Sequence, residues 1–192
     1  RGDPPGGRGR RRLMLPTLSP MQPEDVDAIM PLERMAFADP WSRRMYLSDL
    51  NENPLATYRV IRSADGTGLP PILAWGGFWL LVDEAHIATV AAHPEHRGCG
   101  LGELLMVDLM EAAFERGARV ATLEVRASNL TAQKLYAKLG FDIVGTRRKY
   151  YRDGEDGLIM TTPELDEPEM VARMDAARAD ALARIARCFG GA

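Results

Sequence analysis

Cysteine, histidine and net charge are all scarce in this 192-residue chain, and each scarcity removes a class of function. The only cysteines, Cys99 and Cys188, stand far apart and without metal-ligand spacing, so neither a disulfide framework nor a zinc site is expected. His86, His93 and His96 form no recognisable ligand set and are read as solvated or structural, so no metal is expected. The formal net charge of -3 offers no basic face for nucleic acid. Long apolar runs are also missing. The basic start, Arg8 to Arg12, is followed only by Leu13, Met14 and Leu15 before Pro16, which reads as neither signal peptide nor membrane anchor. A reducing, cytoplasmic setting is the expectation.

Residues 1–12 combine Gly, Pro and Arg, which resist packing, and are read as a disordered, solvated leader; a tether to nucleic acid or ribosome is the sharper alternative. The remaining length suits one α/β domain over residues 13–163, with a tail over 164–192.

Apolar spacing predicts a helix between Met21 and Phe37, and Ser42 is placed to cap a second one ending near Asn51 to Pro54. Thr57 to Arg62 and Ile72 to Leu81 read as a hairpin around a Gly-rich turn. A strand over His86 to Ala92 leads directly into three spaced glycines, then into a long helix with Leu101, Leu104, Leu105 and Leu109 in phase. Gly117 closes that helix before a strand over Arg119 to Arg126, a short helix capped by Asn129, and strands over Phe141 to Arg147 and Leu158 to Thr162. In the tail, Met170, Val171, Met174, Ala181, Leu182, Ile185, Cys188 and Phe189 keep helical spacing. That amphipathic helix is expected to pack on its own domain or to mediate self-association with another copy; a dedicated partner-binding role is the alternative.

Strand, glycine-rich loop, helix is an anion-binding arrangement. Arg97, Gly98, Cys99, Gly100, Leu101 and Gly102 leave backbone N–H groups free to converge on a diphosphate at the positive end of the helix. No Lys followed by Ser or Thr makes it a P-loop, and the third Rossmann glycine would fall on Glu103. Three spaced glycines alone fit a plain tight turn equally well.

His93-Pro94-Glu95-His96-Arg97-Gly98-Cys99-Gly100-Leu101-Gly102 resembles the acetyl-CoA motif of the GNAT superfamily. Within it, Asp39-Pro40-Trp41-Ser42, Leu123 to Asn129, Leu135-Tyr136, Leu139-Gly140-Phe141 and Arg147 to Tyr151 resemble the RimI-like branch of ribosomal-protein-alanine N-acetyltransferases. The likeness runs from about Leu15 to Thr162, with His93 standing where Asp is more usual. It implies a GNAT fold of the α/β class: a mixed, mostly antiparallel sheet whose two central parallel strands splay apart around the cofactor, flanked by helices. It implies acetyl-CoA as cofactor, and as partner and substrate a protein N-terminus, the alanine of ribosomal small-subunit protein eighteen. Lysine side chains, small amines, or a non-catalytic acyl-CoA-binding role are the rivals.

The resemblance also assigns roles. Val90, Ala91 and Ala92 would offer backbone groups to the pantetheine arm, and residues 97–103 their amides to the diphosphate; an ordinary buried strand explains the first three as well. Glu124 would be the general base, the rival reading being an ion pair with Arg126 on the same strand face. Tyr136 would protonate the leaving thiolate, or else be a core aromatic. Asn129 would touch the pantetheine arm, cap its helix, or both. Trp41, Tyr150 and Tyr151 would line the peptide groove or merely cover apolar surface. Cys99 is expected to matter only by being small.

Overall fold

A computed structural model describes residues 15–190; the leader over residues 1–12 lies outside them. Seven strands form one sheet: β1 (Thr17–Pro20), β2 (Ala56–Arg62), β3 (Ile72–Leu81), β4 (Glu84–Ala92), β5 (Val120–Arg126), β6 (Asp142–Arg147) and β7 (Gly157–Thr161). Their order is β1-β2-β3-β4-β5-β7-β6. Every neighbouring pair is antiparallel except β4 and β5. Five helices surround it: α1 (Val26–Ala36), α2 (Arg43–Glu52), α3 (Leu101–Glu115), α4 (Leu130–Lys138) and α5 (Pro168–Phe189). The mixed α/β sandwich is the expected one. β1 was not foreseen.

Both faces of the sheet are covered, and adjacent residues show it. Ile61 belongs to the core under α3 while its neighbour Val60 joins the core under α1 and α2, as successive side chains of a strand must point opposite ways. β3 is buried from Ile72 to Phe78 for the same reason, and so shows no polar alternation. Helix α3 packs on β2, β3 and β4, and α5 lies along α3. Met170, Met174, Ala177, Ala181 and Ile185 of α5 are buried in that core, so the tail helix packs on its own domain. No helix among the described residues is long and apolar enough to cross a membrane.

Where β3 meets β4 the register shifts between Gly77 and Phe78, whose partners are Thr89 and Ile87, so Ala88 is an extra residue. A bulge of this kind bends the strand and reverses which side chains face which layer. Ala85 and Ile87 therefore point toward α3, but beyond the bulge Val90 and Ala92 do so, and Ala91 turns to the α1 side. The backbones lie close enough here that a β-carbon on Gly76 would come within 2.7 Å of the Thr89 carbonyl oxygen.

The cysteines contradict the sequence expectation. Cys99 and Cys188 are joined by a disulfide with their Cα atoms 5.9 Å apart. Packing α5 antiparallel to α3 brings its last turn to the loop before α3, a juxtaposition that spacing along the chain does not reveal.

Candidate active site

The parallel pair β4–β5 is held only over Glu84↔Val120, Ala85↔Ala121 and His86↔Thr122. Past that point the bulged β4 and the β7-paired β5 part, leaving a slot bordered by Ile87 to Ala92 on one side and Leu123 to Arg126 on the other. Val90, Ala91 and Ala92 border this slot. At its α3 end sits the glycine loop. Among the described residues, none of the backbone N–H groups from Arg97 to Glu103 donates to a protein acceptor, while Leu104 N begins the helical ladder on Gly100 O. Gly98 and Gly100 adopt φ of 80° and 90°, which place successive amides on one side of the turn. Arg97 and Gly98 are exposed, Cys99 and Gly102 are half-buried, and Leu101 anchors the first turn in the core. Glu103 turns its side chain away, into ion pairs with Lys138 at 2.6 Å and with Arg184.

Ala121, Leu123 and Val125 of β5 face α3, so Thr122, Glu124 and Arg126 face the opposite layer. Glu124 is there with its side chain only 5% exposed, Oε2 lying 3.2 Å from His86 Nε2 and Oε1 lying 3.1 Å from Arg147 Nη2. Its partner is thus not Arg126, as the rival reading held. Arg126 is held by Asp153 and Glu155, each at 2.7 Å, and stacks its guanidinium over the Tyr151 ring at 4.0 Å.

The aromatic candidates converge on the same carboxylate. His86 stacks on Trp79 with centroids 6.1 Å apart, and Trp79 on Trp41 at 5.6 Å. Arg147 lies over Tyr150 at 5.4 Å, and the rings of Tyr150 and Tyr151 meet edge to face at 5.1 Å. Burial, then the negative charge of Glu124, raises the Tyr150 phenol above its ordinary value. Tyr151 is pushed up to about 12, chiefly by burial, against the pull of Arg126. Tyr136, packed against Phe141 at 5.8 Å, is likewise pushed up to about 12 by burial and by neighbouring Tyr151. At neutral pH it is a phenol with a proton to give. Asn129 stands apart from this group: exposed, with Oδ1 accepting from Ala132 N at 3.1 Å, it caps α4.

Trp41 is positioned by a residue that sequence reasoning passed over. Glu33, 1% exposed, accepts from Trp41 N at 3.0 Å, Tyr46 Oη at 2.9 Å and Trp75 Nε1 at 2.9 Å. Three donors satisfy a carboxylate that burial would otherwise make costly. Burial and this carboxylate raise the Tyr46 phenol far above its usual range. His86, Trp79 and Arg147 were missed too. The signal for His86 was its strand phase: on a parallel neighbour of β5, it could share a face with Glu124.

Of the other histidines, His93 is buried, and its Nδ1 accepts from Glu95 N at 3.3 Å. The donor atoms of His93, Glu95 and His96 lie within 4.8 Å of one another, closer than the sequence suggested, with His96 packed on Phe189 at 5.5 Å.

Residues 26–141 match the Acetyltransferase (GNAT) family. The chain belongs to it. The [ribosomal protein bS18]-alanine N-acetyltransferase of Escherichia coli (strain K12) is 33% identical over 150 residues, 77% of this chain and 97% of that protein. A Bacillus subtilis (strain 168) protein, provisionally assigned the same activity, is 42% identical over 141 residues, 73% of this chain and 90% of its own. The crystal structure of the ribosomal-protein-S18-alanine N-acetyltransferase from Escherichia coli superposes with a TM-score of 0.68 at 33% identity, covering 78% of this chain and 94% of that one. This GNAT protein is an acetyl-CoA-dependent acetyltransferase, and the slot and unclaimed loop amides suit a thioester cofactor with a diphosphate.

Proposed function

We propose that this enzyme acetylates the α-amino group of a protein N-terminus, its substrate being the N-terminal alanine of ribosomal protein bS18, in the cytoplasm. The observation that carries this reading is the placement of Glu124: a nearly buried carboxylate at the mouth of the β4–β5 slot, on the face opposite the glycine loop. Acetyl-CoA supplies an activated acyl thioester.

The chain's own groups divide the remaining work. Amides of residues 97–103 hold the diphosphate, and the unpaired edge formed by Val90, Ala91 and Ala92 receives the pantetheine arm as an added strand. Asn129, though occupied as a cap, has its amide nitrogen left to reach that arm. Glu124 takes a proton from the incoming α-ammonium, directly or through one water, and Tyr136 donates its phenolic proton to the departing sulfur. Trp41, Tyr150 and Tyr151 line the groove that admits the first residues of the peptide, and His86 with Arg147 fixes the orientation of the base. The domain spans residues 13–163, with residues 164–192 as a helical tail.

Mass spectrometry of products from a peptide panel tests it. A peptide beginning with the bS18 sequence should gain 42 Da at its α-amine, roughly the mass of one acetyl group, and an N-terminally blocked peptide with free lysines should gain nothing. Equal labelling of the blocked peptide would overturn the α-amino assignment.

A further inference from the structure

The tail helix α5 reaches back to the loop assigned to the cofactor diphosphate, and it does so at three points. Cys188 is disulfide-bonded to Cys99, Phe189 packs on His96, and the Ala181 carbonyl oxygen lies 2.6 Å from where a β-carbon on Gly100 would stand. Ahead of Leu101, the backbone N–H groups from Arg97 to Gly100 have no protein acceptor among the described residues. Cys99 is flanked by two glycines of positive φ, and the space around the missing β-carbon of Gly98 is empty to 4 Å. The two sulfurs are also unequal: Cys188 is exposed on the last turn of α5, whereas Cys99 is half-buried at the N-terminus of α3.

We propose that the Cys99–Cys188 couple is a thiol-responsive latch that sets acetyl-CoA affinity by fixing or releasing the diphosphate loop. This rests on the acetyl-CoA reading of that loop. In the oxidised enzyme the loop is tied to a helix that is itself anchored by Arg184 on Glu103 and Arg178 on Glu111, so its amides are pre-organised. Reduction proceeds by thiol–disulfide exchange. A thiolate from a cellular dithiol attacks the accessible Cys188 sulfur, the S–S bond breaks, and its electron pair leaves on Cys99. The positive end of α3 stabilises that leaving thiolate. The second thiol of the reductant then resolves the mixed disulfide, so that two electrons and two protons convert one protein disulfide into two thiols. The reduced loop loses its covalent tether to α5. A disulfide in a protein working among ribosomes is exposed to this exchange, since the cytosol keeps thiols reduced.

Isothermal titration of acetyl-CoA into the full-length protein, before and after dithiothreitol, is the test. The expected result is a Kd about five- to tenfold weaker after reduction, restored on reoxidation by oxidised glutathione. Cys188→Ser should show the weak value in both conditions, with circular dichroism verifying that it is folded. Equal affinities in the two states, or two free thiols by mass spectrometry after equilibration with oxidised glutathione, would overturn the latch. Absence of binding in both states would instead remove the acetyl-CoA reading, and the latch with it.

Discussion

His86, on the last paired rung of the two parallel strands, meets Glu124, two residues past its rung partner Thr122, at 3.2 Å, just where those strands begin to diverge. The strand phases of β4 and β5 produce this meeting: Ala85 and Ile87 face α3, as do Leu123 and Val125, which leaves His86 and Glu124 on the opposite layer. The imidazole is wedged against Trp79, whose Nε1 donates to Asp49 Oδ2 at 2.7 Å. The carboxylate therefore rests between a wedged imidazole and the half-exposed guanidinium of Arg147.

That arrangement separates the roles of the two residues. Glu124→Gln should reduce kcat by about 10²–10⁴-fold, the range for loss of a general base, with acetyl-CoA Kd unchanged. His86→Leu should lower kcat less, and His86→Gln, whose amide N–H can still donate toward Glu124, should recover most of the difference. Steady-state kinetics on a bS18 N-terminal peptide would check this. Equal losses in His86→Leu and His86→Gln would show that the polar contact with Glu124 is not what matters.

Glu33 offers a structural counterpart. Removing its carboxylate in Glu33→Leu strands two donors, Trp41 N and Tyr46 Oη, and leaves Trp75 Nε1 only its longer bond to Tyr46 Oη at 3.2 Å. Each unsatisfied buried group costs about 1–3 kcal/mol, so denaturant unfolding should show a loss of at least about 2 kcal/mol. Glu33→Gln keeps acceptor capacity and should lose less. Because Trp41 N and Tyr46 Oη donate to different oxygens of Glu33, the single amide oxygen of Gln cannot serve both, and the peptide KM should rise in Glu33→Gln while acetyl-CoA affinity stays constant.

Much of this was legible from residues alone, where local rules decide the outcome. Ser42 does cap α2, accepting from Met45 N, Gly117 does end α3 at a φ of 96°, and the strand–loop–helix order around Gly98 is the one read from the glycines. β1 escaped notice because four residues with a single aliphatic side chain carry no periodicity. The partner of Glu124 was misjudged for a geometric reason. Residues two apart on a strand lie farther from each other than cross-strand neighbours do, so His86 from the flanking β4 reaches the carboxylate first, the long Arg147 side chain reaches it from β6 beyond β7, and Arg126 is drawn to Asp153 and Glu155. The disulfide was invisible because it depends on how α5 docks, which no local pattern encodes.

The two positive-φ glycines of the cofactor loop provide a control for one another. Gly98→Ala and Gly100→Ala both force a β-carbon into the left-handed region, at about 1–3 kcal/mol each. At Gly98 nothing lies within 4 Å, so that is the whole cost to stability; at Gly100 the new carbon also meets the Ala181 carbonyl oxygen of α5. Thermal unfolding should therefore show a clearly lower Tm for Gly100→Ala than for Gly98→Ala. Matching Tm values would mean that α5 does not press on the loop.

The turn between β6 and β7 gives a pH signature. Glu155 is held down to about 2 by hydrogen bonds from Ser128 and by Arg126, well below the ordinary carboxylate near 4.5. A carboxylate with a depressed folded-state value stabilises the fold fully above its unfolded value and loses that contribution as pH falls. The stabilisation should thus be complete above about pH 4.5 and vanish on acidification toward about pH 2. Glu155→Gln, which cannot ionise, should be less stable than the parent at pH 7, and the gap between the two unfolding midpoints should close across that acidic window. A gap of constant size from pH 7 down to the bottom of the window would mean that the Arg126–Glu155 contact does not anchor the turn carrying Tyr150 and Tyr151.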